Sequence, residues 1–262
     1  MENFYCFCTY LLVGIVGLCV GSFLNVIIYR LPLGMSTATP RSHCPLCNYA
    51  LRWYDNVPIV SYILLGGKCR NCKAHISLRY PAVELANTAL WLLCAVLFRG
   101  KSVLFVCLCM AAISVWICVF AIDLRHMVIF DRFQLVLLAI GAAIVFLDGD
   151  FPPLSHIFGG IFGFLLFYLM SWRFEKLSGK EGLGGGDIKL AGTSGLLLGW
   201  ERLILGLLIA AVSACIIMPI ARKKIRNARG EFPFAPFLTA GFTVSMLFGA
   251  TLIDRYLSLF GL

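Results

Sequence analysis

The chain has little charge for its length. Only 13% of its 262 residues are Asp, Glu, Lys or Arg, whereas 60% are hydrophobic. A soluble globular domain normally has about a quarter of its residues charged, so this composition excludes that class. Apolar runs recur up to the last residues, which also argues against a secreted enzyme with a removable signal peptide. We expect a multi-pass membrane protein.

Eight apolar runs have lengths close to the roughly 20 residues that a helix needs to cross a bilayer. The expected fold is therefore all-α, with about eight transmembrane helices and a polar loop between the first and the second. We divide the chain into a first helix (1–29), the loop (30–80) and a seven-helix domain (81–262). The runs lie at about 5–29, 81–98, 103–122, 132–147, 154–172, 188–200, 203–220 and 235–256.

In this expected topology, the loops on one side of the membrane have few basic residues. With the N-terminus outside the cytoplasm, the inside loops hold eighteen Lys and Arg and the outside loops hold four. Basic loops of membrane proteins stay preferentially in the cytoplasm. The asymmetry predicts that the 30–80 loop is cytoplasmic and that both termini are periplasmic. It also explains the net charge of +9 without nucleic acid as a partner.

The loop over 30–80 has too few aliphatic residues for a core of its own, but it contains two C-x2-C pairs. Cys44 and Cys47 form the first pair, and Cys69 and Cys72 form the second after 21 intervening residues. Four thiolates at this spacing can form the shell of a structural zinc ion, whose binding would stabilise a small fold. A pair of redox dithiols is the alternative. The remaining cysteines lie in apolar runs and are interpreted as small hydrophobic residues.

Two carboxylates at the ends of apolar runs are candidates for catalysis. Asp187 follows three glycines and begins the sixth predicted span, and Asp123 closes the third. Ionisable groups at membrane depth occur where they are buried in protein or line a water-filled cavity. The predicted topology brings both to one side of the membrane. There, two carboxylates that share a proton could activate water and protonate a leaving amine.

Each acid also has a purely structural interpretation. Asp187 could cap the helix that follows it. Asp123 could form an interfacial ion pair with Arg125 or Lys189, and Asp131 is predicted to cap the helix that begins immediately after it. If the pair is catalytic, the helix dipole favours charge on Asp187 at a helix start and disfavours it on Asp123 at a helix end. Asp187 is then the expected base and Asp123 the expected acid.

Several short motifs occur in order along the chain. They are GSFLNV at 21–26, YRLP at 29–32, the two cysteine pairs, DNVP at 55–58, ISLRYPAVE at 76–84, GGGDIKL at 184–190 and PFAPF at 233–237. Together they resemble the bacterial type IV prepilin peptidases, membrane aspartic proteases of the GxGD type, over nearly the whole chain. One departure is visible, because Phe130 stands where the family usually has proline. Its loss could loosen the turn after the third span.

The resemblance implies Asp123 and Asp187 as the catalytic pair and the four loop cysteines as zinc ligands. Gly184, Gly186 and Lys189 are expected to support the catalytic loop. The implied enzyme lies in the bacterial inner membrane and removes the short basic leader from type IV prepilins, or from the pseudopilins of type II secretion. Family members also N-methylate the new N-terminal residue with S-adenosylmethionine, an activity for which the residues themselves offer no motif. The implied partners are these substrates and the lipid bilayer.

The inside loops are basic and would repel the basic leader of such a substrate. Recognition is therefore expected to use the apolar helix of the substrate. Acidic groups such as Glu84, Glu175 or Glu181 are candidates for contacting the leader.

Two other functional classes fit parts of the sequence. In a transporter or channel, Asp123 and Asp187 would bind a cation or relay protons, and several spans would carry polar residues at the membrane midplane. The spans have few such residues. A non-enzymatic assembly protein of a secretion system would use the zinc loop alone, and it would leave the paired carboxylates beside the glycines unexplained.

Overall fold

The structure, a computed structural model, describes residues 2–179, 182–225 and 232–259. Glu181, one of the acids considered for leader recognition, lies outside these residues. The described chain is helical, with two isolated β-bridges in the loop, and this confirms the all-α prediction. Its helices are α1 (Glu2–Arg30), α2 (Val60–Leu64), α3 (Arg79–Leu97), α4 (Val103–His126), α5 (Asp131–Ile144), α6 (Pro153–Ser178), α7 (Gly185–Leu198), α8 (Trp200–Ile225) and α9 (Ala235–Ser258).

Each of the eight predicted spans corresponds to a helix, but the helices differ in length. Among the described residues, six are long and apolar enough to cross a membrane, namely α1, α3, α4, α6, α8 and α9. Helices α5 and α7 have 14 residues each, or about 21 Å at 1.5 Å per residue. The hydrocarbon core of a bilayer is about 30 Å thick. The protein is therefore multi-pass, and the number of eight crossings stays a prediction.

The first compact unit extends to Gly100 and contains α1, the loop and α3. Helices α1 and α3 pack closely, because a methyl group at Gly21 would lie 2.7 Å from the Cα of Glu84. The side-chain amide of Asn87 donates to the carbonyl of Gly17 at 2.8 Å. Small residues and interhelical hydrogen bonds of this kind hold membrane helices together. The second predicted span, which the sequence division grouped with the following helices, thus packs with the first.

The second unit begins at Lys101 and contains α4 to α9. Helix α7 contacts α5, α6, α8 and α9. Glycines allow its close approach to α6: a methyl group at Gly159 would lie 2.6 Å from the carbonyl oxygen of Gly195, and one at Gly163 would lie 2.6 Å from that of Ala191. Helix α7 is therefore enclosed on several sides, and its first turn carries Asp187.

A buried ion-pair network joins the turn after α5 to the start of α8. The Arg202 guanidinium donates to Asp148 at 3.0 Å and to Asp150 at 3.1 Å. The Nε2 atom of His156 lies 3.5 Å from the Asp148 carboxylate, and both of these side chains are fully buried. The turn that holds the two aspartates has no basic residue of its own, and Arg202 of α8 and Lys101 supply its cationic partners.

Candidate active site and metal site

Asp123 lies in the last turns of α4. The helix ends where Met127 adopts a left-handed conformation (φ 52°) and donates its backbone N–H to the carbonyl of Asp123 at 3.0 Å. The Asp123 side chain is only 5% exposed. Its carboxylate accepts a hydrogen bond from the backbone N–H of Ala235, the first residue of α9. The start of a helix is a favourable site for an anion, so the PFAPF motif at 233–237 places such a helix start at Asp123.

Asp187 is the third residue of α7. Gly184 is the N-cap residue in extended conformation, and Gly185 and Gly186 form the start of the first turn. The Oδ1 atom of Asp187 is buried and has no hydrogen-bond partner within the described ranges. Asp123 lies close enough for its charge to act on Asp187. The structure therefore brings the two predicted carboxylates together.

The two supporting glycines differ in their surroundings. A methyl group at Gly186 would lie 2.9 Å from the Cβ of Ile129, in the linker between α4 and α5. At Gly184 it would meet a carboxylate oxygen of Asp187 at an ordinary 3.5 Å, and at Gly185 it would meet nothing within 4 Å. Gly186 is thus required for close packing on the linker, whereas Gly184 leaves room beside Asp187.

Lys189 pairs with Asp131 rather than with either candidate carboxylate. Its Nζ atom lies 2.6 Å from the Asp131 Oδ1, and both side chains are at least half exposed. The prediction that Asp131 caps α5 is wrong, because Phe130 occupies the N-cap position and the Asp131 carboxylate turns to Lys189 on α7. Ion pairs within the described chain involve neither Asp123 nor Asp187. The interfacial-pair interpretation of Asp123 is therefore not supported.

Phe130 keeps the backbone geometry that proline would have. Its φ of −78° lies within the range to which a pyrrolidine ring is restricted. The ring packs edge to face against Phe133, with ring centroids 6.4 Å apart. The linker before α5 therefore has a compensating aromatic contact where the expected proline is missing.

Gln134 is a site residue that the sequence analysis missed. It lies on α5, is only 5% exposed, and donates from Nε2 to the carbonyl of Gly186 at 3.3 Å. Its Oε1 atom accepts a hydrogen bond from the Thr193 hydroxyl at 2.9 Å. The only sequence signal was a polar side chain inside the apolar run over 132–147.

An apolar groove of about 760 Å³ lies between α5, α6 and α7. Its α7 wall is formed by Lys189, Gly192, Thr193 and Leu196, whose spacing corresponds to one face of a helix. This face begins at Lys189, two residues after Asp187, and lies on the side of α7 opposite Asp187. The groove therefore runs along the helix that carries the candidate carboxylate without being lined by that residue.

The four loop cysteines form a compact cluster. Their sulfur atoms all lie within 4.8 Å of one another. The Cys44 and Cys72 sulfurs are 3.8 Å apart, and those of Cys47 and Cys69 are 4.0 Å apart. A tetrahedron with Zn–S bonds of about 2.3 Å has sulfur separations of about 3.8 Å. The geometry fits one metal ion held by four thiolates better than two separate dithiols.

The two C-x2-C pairs adopt the same local structure. The backbone N–H of Cys44 donates to the carbonyl of Tyr49 at 2.9 Å, and the corresponding bond from Cys69 to Ala74 is 2.8 Å. The residue after each second cysteine has a left-handed backbone: Asn48 at φ 56° and Lys73 at φ 60°. Each turn exposes backbone N–H groups to its sulfurs. The repeated turn explains why two pairs so far apart in sequence offer matching sets of ligands.

The loop cysteines differ in the direction in which their surroundings shift the pKa. A hydrogen bond from the backbone of Tyr49 lowers the pKa of Cys47 to about 6. The backbone of Ala74 also lowers the pKa of Cys72, but burial and the three neighbouring thiols outweigh it and raise that pKa to about 11. Metal ligands are thiolates. A cation bound among four thiolates would offset their mutual repulsion.

Asp55, from the DNVP motif, joins the two cysteine turns. It is buried and accepts hydrogen bonds from Arg70 Nε at 2.8 Å, from the Tyr49 hydroxyl at 3.3 Å and from the backbone N–H of Arg52 at 3.3 Å. Burial alone would raise the pKa of Asp55, but the bonds from Arg70 and Arg52 lower it overall. Tyr49 belongs to the first turn and Arg70 to the second, so this carboxylate ties the turns together independently of a metal.

Glu84 is a structural residue of the first unit. It is 7% exposed, and its Oε2 accepts the backbone N–H of Ile59 at 2.9 Å. Ile59 has a φ of 61°, a strained value for a β-branched residue. Ser22 on α1 also donates to Glu84. The suggestion that Glu84 contacts a basic leader is therefore not supported, because its carboxylate is buried and already engaged by the loop and α1.

These features define a class: a multi-pass membrane protein with a buried and a partly buried aspartate at two helix ends and a loop whose four cysteines could hold a metal ion. The chain matches the Bacterial Peptidase A24 N-terminal domain over residues 15–98 and the Type IV leader peptidase family over residues 107–220. It therefore belongs to the type IV leader peptidase family, as the sequence motifs predicted. No solved structure matches the chain.

Curated relatives cover most of the chain. The prepilin leader peptidase/N-methyltransferase of Burkholderia pseudomallei is 38% identical over 264 residues, which cover 90% of this chain and 84% of the relative. The protein of the same name from Pseudomonas aeruginosa is 34% identical over 284 residues, covering 97% and 94%. That from Aeromonas salmonicida is 33% identical over 277 residues, covering 94% and 93%.

Proposed function

We propose that this protein is a membrane aspartic endopeptidase that removes the leader from type IV prepilins or pseudopilins and N-methylates the new N-terminus. The observation that carries the proposal is the meeting of Asp123 and Asp187 at two helix ends in a member of the type IV leader peptidase family. Co-production with a prepilin tests it. Mass spectrometry should find a shortened pilin with a methylated N-terminal amine, and a full-length pilin would contradict the proposal.

The two carboxylates divide the acid and base roles. One takes a proton from water as the water oxygen bonds to the scissile carbonyl carbon. The other donates a proton to the amine nitrogen as the C–N bond breaks. A carboxylate pair with one shared proton supplies both groups at once.

The hydrogen bonds favour an assignment opposite to the one expected from the helix dipole of each aspartate alone. Asp123 accepts the N–H of Ala235 at the start of α9, and such a bond stabilises the ionised form. Asp187 has a buried oxygen without a partner in the described chain, and desolvation of that kind favours the neutral form. We therefore assign the base to Asp123 and the proton donor to Asp187.

The groove beside α7 is the proposed binding site for the apolar segment of the substrate. It is lined mainly by apolar side chains of α5, α6 and α7, and its α7 wall begins at Lys189, two residues after Asp187 and on the other side of the helix. A substrate helix bound there must extend past the start of α7 for its leader to reach the two carboxylates. This recognition does not need acidic side chains in the basic loops.

The four-cysteine cluster is proposed to hold a structural zinc ion. Its four thiols fit the ion, and a closed shell of four protein ligands leaves no position for substrate. Zinc therefore serves to fold the loop over 30–80. The methyl donor is proposed to be S-adenosylmethionine, which follows from the activity named for the relatives.

The proposed location is the bacterial inner membrane, with the loop over 30–80 in the cytoplasm and both termini in the periplasm. The distribution of eighteen inside and four outside basic residues supports this orientation. Labelling of single cysteines with an impermeant reagent tests it. A probe near residue 50 should react only after the membrane is opened, and reaction from the periplasm would reverse the orientation.

A further inference from the structure

We infer that Gln134 is a positioning residue that holds Asp187 in register with Asp123 through the carbonyl of Gly186. The inference rests on the proposed peptidase function and names a residue that acts on the reaction through the position of Asp187, although its side chain also lines the groove. Gln134 lies on α5 and is 5% exposed. Its side chain bonds to two points on α7, donating to Gly186 at 3.3 Å and accepting from Thr193 at 2.9 Å.

The first turn of α7 needs such an external contact. It starts with Gly184, Gly185 and Gly186, and glycine is a weak helix former because it loses the most backbone freedom on ordering. The N-cap residue provides no side-chain hydrogen bond. The position of Asp187 therefore depends on what holds the glycine turn from outside the helix.

Two contacts hold this turn from the α4–α5 side. Ile129 packs against Gly186, where an added methyl group would lie 2.9 Å from the Ile129 Cβ. The Gln134 amide binds the Gly186 carbonyl one peptide before Asp187. The contact with Ile129 sets how closely the glycine turn can approach the α4–α5 linker. The hydrogen bond from Gln134 keeps the turn at that distance. Together they fix Asp187 relative to α4, the helix that carries Asp123.

Thr193 fixes the orientation of the Gln134 amide. Its hydroxyl donates to the Gln134 oxygen, which leaves the amide nitrogen as the donor to Gly186. The Thr193 hydroxyl also lies 3.3 Å from the carbonyl of Leu190, within its own helix. Thr193 therefore donates to Gln134, and Gln134 donates to Gly186. These two hydrogen bonds connect α7 to α5 and end at the first turn of α7, which carries Asp187.

A displaced catalytic group lowers the rate of the chemical step more than the affinity for substrate, and an error of about 1 Å can cost about 100-fold. Gln134→Met removes both hydrogen bonds while keeping the length and approximate volume of the side chain. We expect a 10- to 100-fold lower kcat for prepilin cleavage, with KM changed by less than about threefold. Thr193→Val should give a smaller loss, because the amide keeps its donor to Gly186.

Ser194→Ala is the matched control. Ser194 also lies on α7 and accepts a buried hydrogen bond from Trp116 on α4 at 3.2 Å, but it lies two turns beyond the glycines. Its loss should lower the melting temperature about as much as Gln134→Met, with kcat within about twofold of wild type. A role of Gln134 in folding alone predicts equal kcat values for the two variants, and that result would overturn the inference.

The measurements also separate this inference from the proposed function. A wild-type protein that does not cut prepilin contradicts the proposed function. Cleavage by the wild type and by Gln134→Met with equal kcat contradicts only the positioning role. A lower kcat in Gln134→Met, together with a wild-type value in Ser194→Ala, supports both.

Discussion

The carboxylate of Asp123 accepts a hydrogen bond from the backbone N–H of Ala235. This bond joins the end of α4 to the start of α9, two elements separated by more than 100 residues. It gives the PFAPF motif a physical role, because the motif forms a helix start whose first N–H group, that of Ala235, bonds to an acid. The site is therefore built from three helix ends, with α7 contributing Asp187.

The three glycines before Asp187 should tolerate a side chain at Gly185 but not at Gly186. Gly186→Ala forces the first turn of α7 away from Ile129, because the new methyl group would lie 2.9 Å from its Cβ. We expect prepilin cleavage to fall at least about tenfold. Gly185→Ala is the control, since a methyl group there meets nothing within 4 Å. Equal activities of the two variants would contradict the steric role of Gly186.

Purified protein prepared without chelators should contain about one zinc ion per chain. Cys47→Ser removes one ligand, so elemental analysis should show much less zinc, and the loop should become sensitive to proteolysis because metal binding contributes to its folding. Cys19→Ser, at an exposed position of α1, should keep the metal content of the wild type. Wild-type protein without metal would refute the zinc proposal.

Asp55→Asn should weaken the loop without removing a metal ligand. The amide cannot accept the charged hydrogen bond from Arg70 as strongly, and we expect a loss of about 1–3 kcal/mol in loop stability. Zinc should then be lost to a competing chelator faster than from wild type. Asp254→Asn, on the exposed end of α9, is the control. Unchanged zinc loss in Asp55→Asn would show that the tie between the cysteine turns is not needed.

If the groove between α5, α6 and α7 binds the substrate helix, filling it should lower the affinity for substrate. Leu138→Trp fills part of the groove and should raise KM for a prepilin severalfold, with kcat little changed, because it obstructs binding and not chemistry. Val136→Trp is a matched control on the same helix. Both native side chains are 46% exposed, but only Leu138 lines the groove. Equal KM values for the two variants would place the substrate helix elsewhere.

The sequence predicted the helices well because apolar runs in a bilayer leave little choice of structure. The order of the predicted spans also placed Asp123 and Asp187 at the same side of the membrane, and the sequence therefore predicted that they could meet. It could not predict contacts that depend on helix packing. The donation from Gln134 to Gly186 and the pair between Lys189 and Asp131 join helices α5 and α7, and no local pattern marks them.

The sequence also did not indicate which helices pack together as one unit. The division of the sequence grouped the second predicted span, α3, with the later helices. The packing of Gly21 against Glu84 instead joins α3 to α1. Such small-residue contacts decide which membrane helices associate, and they are not visible in a hydropathy pattern.

The central claim is that Asp123 and Asp187 together cut the leader, and cleavage of a purified prepilin by single variants tests it most directly. Asp123→Asn and Asp187→Asn should each lower the cleavage rate by at least about 10²- to 10⁴-fold, with membrane insertion and zinc content unchanged. Asp131→Asn should retain most activity, because Asp131 forms only an exposed pair with Lys189. If the Asp123 or the Asp187 variant cuts prepilin at a rate near that of the wild type, the paired-aspartate mechanism is wrong.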